Sequence, residues 1–390
     1  MTATAGVTLR LVEWEAADIA LWQARLLAVR PDWFEVTART FDDWQVRPRN
    51  IVGIVPLAGL LVRIAPKVPI ASLVAMLEHV YDIDLSFHQP DASLDEVDGL
   101  LDRLARLFAS RVLARLRKGI ARTYVEENDD LLVVRGRVEL VASARHAGRG
   151  DLRLHCAYEE LTADIMDNRI LLAALDCLRR TSILSDATRR VVQEGHRGLS
   201  ADVTLVPVRP TDCLHRVYDR LNRDYRELHA YARLFLQHAA SDLGERDVGV
   251  PFTLDMSKLF ERFVAAWLAP RLPLGFRLQS QRHLAIGAAA RLDSYIDLVV
   301  VDEAWHVRAV LDTKYKAAAT PSREDLHQVT FYATATSCRD AFLVYPAPAV
   351  PFDLSIGNKR VRSLTFDLSQ PPSLSGPAFL QSLVDALVAP

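Results

Sequence analysis

Excess positive charge, paired cysteines and long uninterrupted apolar runs are all missing from this 390-residue sequence. Its 47 Lys and Arg stand against 49 Asp and Glu, for a net charge of −2 and a pI near 6.6. That balance argues against a chain that holds nucleic acid by bulk charge, although a local basic patch serves the same end. Cys156, Cys177, Cys213 and Cys338 form no Cys-x-x-Cys pair, which excludes a zinc ribbon or a dithiol redox motif. Isolated thiols suit a reducing cytosol, and a cytoplasmic location is expected. The opening MTATAGVTLR has no basic segment followed by an apolar run, so no secretory signal is expected. The apolar stretch Ile51–Ala65 is interrupted by Pro, Gly and Arg and reads as strands, not as a membrane span. No Gly-rich loop ending in Lys-Ser/Thr occurs, and no repeat or low-complexity tract is visible.

What is present is half hydrophobic and a quarter charged, enough for two or three cores. The pattern predicts three parts. Residues 1–122 carry hairpins and helices. Residues 123–248 run from strand into mostly helix. Residues 249–390 follow a polar boundary at Asp242–Pro251. Ile51–Ile64 reads as a hairpin turning near Pro56–Gly59, Phe41–Asn50 as a loop, and Tyr124–Val141 as strand. Leu94–Leu116 has helical apolar spacing, and Arg111, Arg115, Arg117 and Lys118 near its end read as a solvated face with favourable helix-end charge. In the last part a helix over Leu254–Trp267, a strand over Phe276–Ala285, a hairpin, a helix from Ser322 to about Ala335 and a strand over Ala341–Tyr345 suggest an α/β layer with a mixed sheet.

The hairpin carries the candidate chemistry. Strands are predicted over Ile296–Val301 and Trp305–Leu311, joined by a polar turn at Asp302–Glu303. Residues two apart on a strand share a face, so Asp312 and Lys314 project together beside Asp297 on the neighbouring strand. Two carboxylates suit a hard cation such as Mg²⁺ or Mn²⁺, with the carbonyl of Thr313 as third ligand and Glu261 completing the shell. Such an ion polarises a scissile phosphate and acidifies bound water, while Lys314 orients that water or neutralises charge. Gln328 and Tyr332, at i and i+4 on one helical face, would hold the DNA backbone or Lys314. Spacing alone leaves the bland alternative open, a solvated hairpin edge followed by an ordinary amphipathic helix. Asp293 competes with Asp297 but lacks the apolar strand that follows the latter.

In order, the segments LFERFV (259–264), YIDLVV (295–300), VLDTKYK (310–316) and DLHQVTFYA (325–333) resemble the PD-(D/E)xK nuclease superfamily, and more closely the McrC family of McrBC-type restriction systems. The resemblance extends to LVRIAPKV (61–68), RGRVEL (135–140) and CAYEELTADIMDNRILLAAL (156–175). Ile296 stands where the superfamily usually has proline, a departure at a position that is not a ligand. Asp167 and Asn168, within the last segment, read as settling a turn or a local polar contact. The resemblance implies a PD-(D/E)xK core with a mixed sheet behind an α/β partner-binding region. It carries the catalytic role to Asp297, Asp312, Lys314, Glu261, Gln328 and Tyr332. It further implies an Mg²⁺-dependent DNA endonuclease subunit of a modification-dependent, type IV system. The implied partners are a McrB-like AAA+ GTPase hexamer, which holds the GTP and is stimulated by this chain, and methylated or otherwise modified double-stranded DNA. Arg47, Arg49, Arg63 and Lys67 are polar points that would meet the ring. Two alternatives remain: a non-catalytic adaptor or GTPase activator with a vestigial nuclease fold, and a free-standing defence or repair nuclease.

Overall fold

The computed structural model describes residues 7–40, 42–85, 97–181, 184–239, 251–286, 292–316, 321–348 and 350–388. They belong to two units, one of residues 1–100 with 251–390 and the other of residues 101–250. The first unit begins with β1 (Val7–Val12), β2 (Ala17–Ile19), α1 (Leu21–Leu27), β3 (Phe34–Ala38), β4 (Trp44–Pro48), β5 (Ile51–Leu57), β6 (Leu60–Ala65) and α2 (Ile70–Tyr81). β5 and β6 form the expected hairpin, turning at Gly59 with φ of +73°. β1 lies parallel to β6, and β2, β4 and β3 make a small antiparallel sheet. Leu27, Phe34, Val46, Val62 and Ile64 are buried in one apolar cluster between these layers. Residues 44–48 are therefore strand, not the loop their polar neighbours suggested. Val46 and Pro48 alternate inward, and Phe41 lies outside the described residues.

The second unit contains most of α3 (Val97–Lys118), then β7 (Thr123–Leu131), β8 (Arg137–Val138), α4 (Leu140–Ala147), β9 (Leu154–Thr162), α5 (Met166–Arg179), α6 (Asp186–Ser200) and α7 (Tyr225–Ala239). β7 and β8 both pair antiparallel with β9. Strand was expected to continue to Val141, but Leu140–Ala147 is helix, with Ser143 facing inward and Leu140 and Val141 exposed. Of the basic residues near the end of α3, Arg117 and Lys118 are exposed as expected, while Arg111 pairs with Glu227 and lies over the Tyr231 ring, and Arg115 pairs with Asp224. Asn168 is buried on α5, where its amide donates to the carbonyls of Ala121 and Ala163 and its oxygen accepts from Tyr225.

The chain then returns to the first unit with β10 (Phe252–Asp255), α8 (Met256–Leu268), β11 (Phe276–Ile286), β12 (Leu292–Asp302), β13 (Val307–Thr313), α9 (Arg323–Ala335), β14 (Asp340–Tyr345), β15 (Asp353–Ile356), β16 (Lys359–Thr365) and α10 (Pro372–Val388). β10 pairs antiparallel with β5 and extends the N-terminal sheet to β1-β6-β5-β10. Gly53 makes this pairing possible: its φ is +132°, and a Cβ there would sit 2.1 Å from the Phe252 carbonyl oxygen. The expectation of a nuclease core standing behind a separate α/β partner-binding region is corrected here. The first strands and the residues after 251 share a sheet and form one unit. The polar boundary at 242–250 lies outside the described residues.

The larger sheet has the order β11-β12-β13-β14-β16-β15. Its β11-β12-β13 side is antiparallel, and β13, β14 and β16 run parallel. α9 is the crossover that parallel β13 and β14 require. Ser322 caps it, accepting from the Asp325 amide while Asp325 accepts from the Ser322 amide. Ile296, Val299, Val310, Val329, Ala333 and Leu343 are buried together between the sheet and this helix. Trp305, expected to open a strand, lies in the turn with φ of +65°, and Asp302 closes that turn by accepting from the amides of Ala304 and His306. Among the described residues no helix is long and apolar enough to cross a membrane.

Candidate functional site

Asp297 sits in the middle of β12 and Asp312 near the end of β13. One Asp297 oxygen accepts from both the amide (2.8 Å) and the hydroxyl (2.9 Å) of Thr313. Thr313, expected to contribute only its backbone carbonyl, thus fixes the orientation of Asp297 through its amide and its hydroxyl. Asp312 is 1% exposed. Burial first, and then the charge of Asp297, push its carboxyl up to about 7, against the opposing pull of Lys314. Lys314 Nζ lies 2.6 Å from Asp312 Oδ2 and donates to Gln328 Oε1 at 2.9 Å. Burial favours the neutral amine of Lys314, but Asp312, Asp325 and Asp297 outweigh it and raise its pKa.

α9 supplies the support. The Gln328 amide donates to the Tyr332 hydroxyl at 2.9 Å, and Ser294 Oγ donates to the same oxygen at 3.3 Å. The chain runs from half-buried Lys314 through exposed Gln328 to the buried Tyr332 ring. On the same helix Asp325 pairs with Lys316; burial works against its ionised form, but Lys316 and Ser322 hold the carboxyl below its usual range.

Glu261 projects from α8, whose Phe260, Phe263 and Trp267 are buried. Its carboxyl is raised by burial and next by the charge of Asp297. Asp297 therefore acts electrostatically on both Glu261 and Asp312. The structure links Asp312, Lys314, Gln328 and Tyr332 in one chain of contacts, with Asp297 near enough to act on the charge of both Asp312 and Glu261. It leaves Asp293 apart, exposed and accepting from His283 Nε2 at 2.8 Å.

Two contributors escaped the sequence reading. Gln281 on β11 donates to Glu261, and its backbone is left-handed, with φ of +51°. It lies where the β11 register passes from Ser280↔Leu298 to Arg282↔Ile296, opposite Asp297. Glu13 lies just past β1, fully buried, with one oxygen accepting from Tyr315 at 3.2 Å. Burial pushes Glu13 up to about 8. The apolar neighbours of Glu13, Val12 and Trp14, were a readable hint; the positive φ of Gln281 had none.

The donor set suits a hard divalent cation. Burial and the charge of Asp297 raise both Asp312 and Glu261, and Lys314 beside Asp312 Oδ2 offsets this only in part, so an added cation would favour full ionisation of the group. With a cation bound, such a site can polarise a phosphate oxygen and acidify a water molecule. A lysine beside it can neutralise developing negative charge.

Residues 46–346 match the family described as McrBC 5-methylcytosine restriction system component. The chain belongs to that family. No curated protein matches the sequence. Among solved structures, one chain of the refined half-complex from the tetradecameric assembly of Thermococcus gammatolerans McrB AAA+ hexamers with bound McrC is similar at 21% identity. The match covers 97% of this chain and 100% of that one, with a TM-score of 0.62. A chain of the Thermococcus gammatolerans McrBC complex is 20% identical, over 67% of this chain and 87% of that one, with a TM-score of 0.44. At such identities the first likeness speaks for the fold alone, and the second is too loose to argue from.

These findings correct the finer expectations. Membership is in the McrBC component family as a whole, not in McrC as a named nuclease subunit. The matched assembly is described by its McrB AAA+ hexamers and bound McrC, and neither description names a PD-(D/E)xK core or an endonuclease. Endonuclease activity, Mg²⁺ or Mn²⁺ as a nuclease cofactor, GTP held only by a partner, and a McrB-like hexamer and modified DNA as partners are therefore withdrawn as identifications. The AAA+ label does not pass to this chain in their place. No Gly-Lys dipeptide occurs anywhere in the sequence, so the phosphate loop of such GTPases is missing. The large sheet, moreover, is antiparallel over β11-β12-β13.

Proposed function

We propose that this McrBC-system component binds a hard divalent cation through Asp297, Asp312 and Glu261, with the Thr313 carbonyl as a further ligand, and presents it to a phosphate ester. Lys314 faces the phosphate, and Gln328 and Tyr332 position Lys314. The observation that carries this reading is Asp312: a fully buried carboxylate whose ionised form is opposed by burial and by the charge of Asp297 even with Lys314 Nζ 2.6 Å from Oδ2. A carboxylate that stays raised beside a lysine calls for further positive charge before it ionises at no cost. The bound cation supplies Lewis acidity toward a phosphate oxygen or a water molecule. The protein's own part is to fix Asp297 through Thr313, to hold Lys314 through Gln328, and to keep Glu261 near Asp297 through Gln281.

The test is calorimetric titration of Mn²⁺ into the full chain and into Asp312→Ala and Asp297→Ala. Saturable binding lost in both variants supports the site; unchanged binding refutes it. Turnover of two phosphate probes, bis(p-nitrophenyl) phosphate and GTP, then defines the bond acted on. Cation-dependent turnover that survives Asp312→Ala would refute the assignment of chemistry to this cluster.

A further inference from the structure

A second group of ligand-type side chains lies in the other unit, where nothing above places a function. Asp130 on β7 and His155 on β9 are direct cross-strand partners. His146 arrives from α4, which is tied to β9 where the His155 amide donates to Ser143 Oγ at 2.9 Å. Two imidazoles converge on one carboxylate oxygen: His155 Nδ1 is 2.7 Å and His146 Nε2 is 3.1 Å from Asp130 Oδ1. One ligand atom from each of the three residues lies within 4.8 Å of the others, and all three side chains are partly buried. A tetrahedral zinc with ligands at about 2.0–2.1 Å places neighbouring donors roughly 3.3 Å apart, so little movement separates this cluster from a coordination shell.

The surroundings add a second observation. The other nitrogen of His146, Nδ1, lies 3.5 Å from Asp151 Oδ2, and Asp151 is held in turn by Arg153 at 2.7 Å. A carboxylate behind a metal-bound histidine fixes the tautomer that leaves the opposite nitrogen free to coordinate. Here that opposite nitrogen is Nε2, the one aimed at Asp130. Imidazole and carboxylate together favour zinc-class ions over Mg²⁺ or Ca²⁺.

We propose that Asp130, His146 and His155 form a zinc-class metal site that clamps α4 to the paired strands β7 and β9, with Asp151 orienting His146. Three protein ligands leave a fourth position for water or for a ligand from another molecule. The full chain, stripped with chelator, is titrated with Co²⁺ and followed by visible absorption. Asp312→Asn serves as the background, so that the carboxylate cluster in the first unit does not contribute. The expected result is about one equivalent of Co²⁺ with the strong visible bands of a low-coordinate, nitrogen-ligated ion. Those bands vanish in His146→Ala and His155→Ala and are displaced by Zn²⁺. Asp151→Asn keeps the site but weakens Co²⁺ binding roughly 10- to 100-fold. Only the weak bands of hexa-aquo cobalt, or bands unaffected by both histidine substitutions, would overturn the proposal. Circular dichroism of the histidine variants confirms that a lost band is not lost folding.

Discussion

Asp312→Asn should make the cation-free protein more stable while abolishing its response to cation. The native carboxyl is moved from 3.8 to about 7, chiefly by burial. Once fully ionised, a shift of that size costs the folded state roughly 4 kcal/mol. Because the folded-state pKa lies above the unfolded one, the stabilising contribution is complete below about pH 4 and is lost as pH rises through 7. Asparagine keeps the shape and never ionises. The variant should therefore exceed wild type by about 2–4 kcal/mol at pH 8, with the difference shrinking toward pH 4. Urea unfolding of the transition that contains β12 and β13, monitored at pH 4, 6 and 8, reads this directly. Adding Mn²⁺ at a hundred times its dissociation constant should then stabilise wild type by about 2.7 kcal/mol and leave the variant unmoved. A variant less stable than wild type at pH 8 without cation would refute the account of Asp312 as a buried charge that Lys314 only partly compensates. Equal Mn²⁺ stabilisation of the two proteins would refute its role as a ligand.

Three further outcomes are expected. Glu13→Gln should flatten the pH dependence of stability: wild type loses of order 4 kcal/mol as pH rises from 4.5 to 8, and denaturant titrations across that range would show the variant losing far less. Gly53→Ala should cost about 3 kcal/mol or more, because its Cβ meets the Phe252 carbonyl and its φ is hostile to alanine; an unchanged midpoint in chemical unfolding would refute the close-approach argument. Asn168→Ala removes two donated bonds and leaves the Tyr225 hydroxyl without its acceptor, for a loss of about 2–4 kcal/mol in the unfolding transition of the 101–250 unit.

The parts of the site that were legible in the sequence are those set by local pattern. The apolar run after Asp297, the two-residue spacing of Asp312 and Lys314, and the i, i+4 spacing of Gln328 and Tyr332 each follow from the period of one element, and the structure unites them. Ser322 and Asp325 announced the start of α9 in the same local way. Trp44–Pro48 was hidden because its charged neighbours outweighed a short inward alternation. Leu140 and Val141 misled in the opposite sense: both apolar, and Val141 β-branched, they follow a strand, yet they face solvent on a helix that buries Ser143. Gln281 and Glu13 reach the site region through a local left-handed residue and a contact spanning about three hundred residues, and neither leaves a periodic trace.

The edge of the N-terminal sheet has a consequence for synthesis. β5 is made within the first sixty residues, but its partner β10 is not made until residues 252–255. At ribosomal rates of about 5–20 residues per second, roughly 10–40 s separate the two. During that interval β5, with the flat, side-chain-free spot at Gly53, offers an unpaired backbone edge to any other strand in reach. The nascent chain is thus most exposed to mispairing long before its carboxylate cluster exists, and its yield in the cell should depend on chaperone supply more steeply than its final stability would suggest.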